Sequence, residues 1–114
     1  MDVRNIYSQI PAPRDRELFE DLAVGGGVRI ERIVSWGQAT RAGDWLAQDR
    51  DEWVILLAGA AGLRLEGEEG TVEMGPGDYV HIPAGRRHRV EWTAQDQRCV
   101  WVGVHYRGAR REEE

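Results

Sequence analysis

Imidazole, carboxylate and amide groups carry whatever chemistry this sequence can do. Lysine is absent, all 15 cationic residues being arginine, which excludes Schiff-base chemistry and a phosphate-loop lysine. A single cysteine, Cys99, rules out an internal disulfide framework and any zinc site of several thiolates, and reads as a buried core thiol. Three histidines remain: His81, His88 and His105. Glu52 opens the apolar run EWVILLA, and a carboxylate inside such a strand needs a partner, because burying it unpaired costs several kcal/mol. Either it forms a salt bridge with Arg50, Arg64 or Arg89, or it is a polar anchor whose raised pKa suits a general acid or base. By period two, Gln48, Arg50, Glu52, Val54 and Leu56 share one face if the strand begins that early, and His88 shares a face with Val90 and Trp92. His81 and His105 read as outward-facing, half-buried residues. Five tryptophans are many for so short a chain; Trp92 and Trp45 are the expected pocket walls, the others core or interface.

The elements that must position these groups are mostly strands. The 114 residues, 41% hydrophobic and 31% charged, fit one ordinary domain large enough for a real core. Pro11 and Pro13 keep the start extended. Leu18, Phe19 and Leu22 fall at i, i+1, i+4, predicting a short helix from Arg14 to Ala23 stopped by Gly25-Gly26-Gly27. Strands are expected over 28–35, 52–58, 63–65, 71–74, 79–82, 88–93 and 99–106, punctuated by Gly/Pro turns, which predicts an all-β sandwich or barrel. Residues 107–114, three arginines and three glutamates without a large apolar side chain, read as a disordered charged tail. The net charge of −5 and the lack of a basic stripe argue against nucleic acid. No apolar run is long enough to span a bilayer, and the N-terminus has no secretory pattern, so a cytoplasmic protein is expected.

Gly77-Asp-Tyr-Val-His-Ile-Pro83-Ala-Gly85-Arg-Arg-His88 resembles the second cupin motif, G-x5-P-x-G-x2-H, with all four anchors at the right spacing. Glu52 and Gly59 match the end of the first motif, and the resemblance runs from about Ile30 to Tyr106. It implies a single jelly-roll-like double-sheet barrel over 28–106, and the arm and short helix read from the residues take up 1–27. It also implies that Glu52 and His88 converge in a mostly apolar cavity.

The departures matter as much. Where the family's first motif places two histidines, this chain has Leu46 and Gln48, and Trp92 replaces the final asparagine of the second. Leucine cannot ligate a metal and an amide oxygen is a weak ligand, so Gln48, Glu52 and His88 would hold a divalent ion only loosely. The resulting expectation is a small-molecule-binding protein using Gln48, Glu52 and His88 as polar anchors. The alternative is a cupin enzyme of oxygenase or isomerase class using Glu52 and His88, metal-dependent or working by metal-free acid-base catalysis. A homodimer is expected from the resemblance and from the need to cover a sheet edge.

Overall fold

In the computed structural model, residues 1–108 are described, and among them every regular element is a strand. The strands are β1 (Leu18–Gly25), β2 (Val28–Ser35), β3 (Asp51–Ala58), β4 (Ala61–Leu65), β5 (Val72–Met74), β6 (Tyr79–Ile82), β7 (His88–Thr93) and β8 (Cys99–Tyr106). A five-stranded sheet runs β1-β2-β8-β3-β6 and a three-stranded sheet runs β5-β4-β7. The core lies between them: Val54, Leu56, Ile82, Cys99 and Trp101 from the large sheet meet Ala61, Leu63 and Met74 from the small one. Each such aliphatic side chain contributes roughly 1.5–3 kcal/mol on burial. Cys99 is a free, buried thiol, as expected.

The helix predicted from Arg14 to Ala23 is not formed; β1 occupies that stretch and pairs antiparallel with β2. The ladder passes from Asp21↔Glu31 to Ala23↔Ile30, so Leu22 is bulged out of register. That extra residue breaks the period-two pattern and leaves Leu18, Phe19 and Leu22 at a spacing that imitates a helix. The three glycines do not cap a helix either. Gly25 faces Val28 across a two-residue turn, with Gly26 at φ 58° and Gly27 at φ 78°. Two consecutive positive φ angles are what a tight hairpin turn of matching twist requires, and glycine supplies them without strain.

The expected closed barrel is also corrected: the two sheets pack face to face but no continuous ladder joins them into a cylinder. A loop over 36–50 instead runs along the outer edge of β7, held by Thr40 N to Val90 O at 2.9 Å and by a reciprocal pair between Leu46 and His88 at 2.7 and 2.9 Å. The N-terminal arm is pinned by the buried Arg32, whose guanidinium donates to the carbonyls of Ile6 and Ser8 at 3.0 and 2.7 Å and to Glu20 at 2.8 Å. Of the tail expected to be disordered, 109–114 lies outside the described residues. No helix among the described residues is long and apolar enough to cross a membrane.

Candidate functional site

Three neighbouring strands of the large sheet build the floor of a cavity of about 390 Å³. In register, Arg29 on β2 faces His105 on β8, which faces Glu52 on β3. One row further along, Glu31 faces Gly103, which faces Val54. Gly103 has no side chain, and a Cβ there would stand 3.4 Å from Glu52 Oε2 and 3.7 Å from Glu31 Cγ. That gap lets two carboxylates lean towards each other across β8. The roof comes from β4 and β7, through Leu63, His88 and Val90, while Ile33, Val54, Ile82 and Trp101 make the remaining walls largely apolar.

Glu52 and His88 do meet here. His88 is 5% exposed and Glu52 8%, with His88 Nε2 3.9 Å from Glu52 Oε1. Because a carbonyl can only accept, the 3.0 Å contact between His88 Nδ1 and Arg86 O fixes the proton on Nδ1. In the neutral ring the Nε2 lone pair is therefore turned towards the carboxylate side of the cavity. The backbone of His88 is held by the Leu46 bridge, and Gln48 O is fixed by Gly85 N at 2.7 Å, so both motif turns hold the site in place. Gln48 lies just ahead of β3 and its Nε2 donates to Glu52 Oε1 at 3.1 Å.

None of the arginines considered as partners for Glu52 reaches it; its polar neighbours are two imidazoles, a second carboxylate and the Gln48 amide. Burial pushes the Glu52 pKa up, against the opposing pull of His105 and His88; Glu31 raises it further and the Gln48 hydrogen bond lowers it. Desolvation prevails because no partner sits at contact distance with full charge-assisted geometry. Asp51, next in sequence, points the other way. Bonds from His81 at 2.9 Å and Ala84 N at 3.0 Å lower its pKa. His81 is thus an exposed residue outside the cavity, as its strand position suggests.

His105 departs from expectation. It is 4% exposed and faces inward, its Nε2 2.6 Å from Glu31 Oε1 and 3.7 Å from Glu52 Oε2. Cys99, Trp101, Gly103 and His105 alternate on the inner face of β8, so parity from Cys99 and Trp101 is the signal that could have located it. Glu31 was hidden by a reversed face. Val28, Ile30 and Val34 look like the core side of β2, yet Arg29, Glu31 and Ile33 line the cavity, while Arg32 on the opposite face bonds the N-terminal arm. On two of the lining residues a buried ring nitrogen, Trp101 Nε1 and His105 Nδ1, has no hydrogen-bond partner.

The two tryptophans expected as walls stand elsewhere. Between β4 and β7 the ladder steps from Gly62↔Trp92 to Leu63↔Val90, leaving Glu91 as a bulge. The bulge flips parity, so Thr93 turns inward and Trp92, 38% exposed, lies over Gly62 on the outside. Trp45 sits outside with the guanidinium carbons of Arg64, Arg87 and Arg89 each 5.9 Å from its ring centre. The indole lining the cavity is Trp101.

Glu31, Glu52 and His105 could hold a metal ion, since one ligand atom of each lies within 4.8 Å of the others. The chemistry of the set fits: carboxylate oxygen with imidazole nitrogen suits a first-row divalent metal such as iron, manganese or zinc. The family's two motif-one histidine positions do not contribute imidazoles, because Leu46 has no donor and the Gln48 amide is bonded to Glu52.

The chain is similar to several known proteins. It is 32% identical over 84 residues to an acireductone dioxygenase from Rhodopseudomonas palustris (strain TIE-1), which covers 72% of this chain and 49% of that protein. The chain thus spans about half the length of that relative. Among solved structures, a proposed mannose-6-phosphate isomerase from Ralstonia eutropha JMP134 superposes with a TM-score of 0.91 at 39% identity, covering 95% of this chain and all of the other. A cupin superfamily protein from Desulfitobacterium hafniense DCB-2 shares the fold at 18% identity, with a TM-score of 0.70 over 87% of this chain and 84% of that one. The cupin domain family itself matches residues 38–105, which hold both motif glycine turns, Glu52, His88 and His105. With most of the chain matched and the two-sheet architecture in place, this protein belongs to the cupin domain family.

Proposed function

We propose that this chain binds a small molecule in the cavity between its sheets, with Glu52, His88 and Gln48 as the polar anchors. One observation carries the reading: a buried carboxyl whose pKa is raised by burial and a buried imidazole whose Nε2 makes no hydrogen bond face each other at 3.9 Å across an apolar hollow. The carboxyl, the imidazole Nε2 and the Gln48 amide stand together, so a hydroxyl or carbonyl group placed there meets both donors and acceptors of hydrogen bonds. Trp101 adds a flat apolar wall against which such an occupant packs. The names of two relatives, an acireductone dioxygenase and a proposed mannose-6-phosphate isomerase, support an oxygen-rich occupant. Trp92 and Trp45 drop out of the pocket in this reading.

The second reading is a metal-dependent cupin enzyme of oxygenase or isomerase class. It is favoured by the convergence of Glu31 and His105 on Glu52, which restores donors that Leu46 and Gln48 do not offer. A bound divalent ion would supply Lewis-acid or redox chemistry; the residues would hold it, orient the substrate against Trp101 and exclude water. The homodimer belongs to the proposal as well, supported by β1, an edge strand that exposes Phe19 and Val24.

Thermal unfolding with a panel of small hydroxy-carbonyl and sugar compounds tests the binding reading. A compound at about 100 times its Kd adds about 2.7 kcal/mol, roughly 10 °C or more in Tm for a domain of this size. Stabilisation of the wild type that vanishes in Glu52→Gln and His88→Ala is the expected result. Stabilisation that persists in both variants removes these residues from the site.

A further inference from the structure

We infer that the occupant of this cavity carries an acidic group at one end, a carboxylate or a phosphate, and that Arg29 receives it at the cavity mouth. The inference rests on the small-molecule reading above and adds the class of ligand and the residue that selects it.

It begins on β2, where alternation puts Arg29, Glu31 and Ile33 on the cavity side. Arg29 faces His105, which faces Glu52, so the three form a row across neighbouring strands. With strands about 4.8 Å apart, the two ends of that row stand roughly 10 Å from each other at the backbone. The Arg29 side chain is 46% exposed, which sets it at the mouth, whereas His105 and Glu52 are buried. A second hollow of about 460 Å³ adjoins the first there and shares Arg29, Gln48 and His105 with it. Its walls include the β1–β2 turn and the segment just before β3, which Arg50 ties together by donating from Nη1 to Gly27 O at 3.3 Å.

The commitments of the other charged groups single out Arg29. Glu31 Oε1 stands 2.6 Å from His105 Nε2, Glu17 Oε2 accepts from Ser35 Oγ at 2.6 Å, and Glu52 Oε1 accepts from Gln48 at 3.1 Å. Among the described residues, the one charged contact of Arg29 is Asp21, itself more than half exposed and at 3.9 Å too far for a hydrogen bond. The outer hollow sets Arg29 and Arg50 against a single acid, Asp49. Deeper in, the carboxyl groups of Glu17, Glu31 and Glu52 all line the cavity and repel an anion. An acidic end therefore belongs at the mouth, with an uncharged hydroxyl or carbonyl between Glu52 and His88. A guanidinium offers a carboxylate or a phosphate two parallel N–H donors, a geometry that a point charge does not provide. A short acyclic chain or one sugar ring spans the row.

Calorimetric titration with matched pairs tests the inference: gluconate against glucitol, and glucose 6-phosphate against glucose. In the wild type the acid of at least one pair should bind about tenfold tighter than its neutral partner, a preference that shrinks as salt is raised. The pair that shows it tells a carboxylate from a phosphate. Arg29→Gln should bring that ratio to about one without changing Tm. Arg98→Gln, outside both hollows, should leave the ratio as it is in the wild type. Neutral partners that bind as tightly as the acids, a ratio that survives Arg29→Gln, or no binding by any of these compounds would overturn the inference. Compound-induced stabilisation that depends on Glu52 and His88 would stand in each of those cases. An acid preference that needs Arg29, with Glu52→Gln and His88→Ala binding as the wild type does, would support the anion subsite and remove the inner anchors instead.

Discussion

Replacing Glu52 by glutamine should make the metal-free protein's stability less sensitive to rising pH. Glutamine keeps the size of the side chain and its hydrogen bond with Gln48, and removes only the ability to ionise. In the wild type, burial raises the Glu52 pKa above its ordinary value of 4.5, so the folded chain holds this proton over a range in which the unfolded chain has released it. The contribution from Glu52 is therefore fully present below the unfolded value and is lost as pH rises through the folded one. While that loss proceeds, wild-type stability falls relative to the variant by up to about 1.4 kcal/mol per pH unit. For a domain this small, that is about 5–10 °C in Tm. Urea denaturation followed by tryptophan fluorescence, with chelator present, at intervals between about pH 5 and pH 8 measures the difference, and groups common to both proteins cancel. A difference that is flat with pH, or that grows in the wild type's favour, would mean Glu52 is ionised in the fold and held by His88 and His105. The reasoning about a neutral anchor would then be refuted.

Other perturbations separate the inner face from the outer. Gly59→Ala should destabilise by about 2 kcal/mol or more, measured by the same urea midpoint, since Gly59 has φ 94° and an added Cβ would meet Cys99 Sγ at 2.5 Å and Arg98 O at 2.9 Å. Trp92→Ala should leave compound-induced stabilisation intact, because that indole covers Gly62 outside the cavity, whereas Trp101→Phe should weaken it by reshaping a wall of the cavity. Val24→Glu, at a position 69% exposed on the β1 edge, should shift the mass measured by light scattering from dimer to monomer.

Much of the fold was legible because glycine, proline and alternation act locally. The run from Gly77 to His88 specified a turn, a strand and a second turn, and each formed; Glu52, Val54 and Leu56 alternated inward as their spacing demanded. The errors cluster where one extra residue breaks a ladder. At Leu22 a bulge disguised β1 as a helix, and at Glu91 another turned Trp92 out and Thr93 in. A bulge depends on the partner strand, so neither segment encodes it alone. Part of the site was readable, namely Glu52 and His88 from the motifs and Gln48 from the period-two face it shares with Glu52. Glu31 was not, because β2 turns its polar alternate face inward, and His105 was misread as outward-facing although it shares the parity of Cys99 and Trp101 on β8. The usual rule that apolar residues face the core fails where the N-terminal arm covers one side of a strand and a polar cavity lies on the other.

Proximity of Glu52 and His88 in one occupied hollow is most directly tested by a crystal structure of the protein soaked with whichever compound stabilises it most. Continuous ligand density within hydrogen-bond distance of both Glu52 and His88, with Trp101 packed against it, is the predicted result. Density for the compound on another surface, with the hollow between these two side chains holding nothing but water, would contradict it.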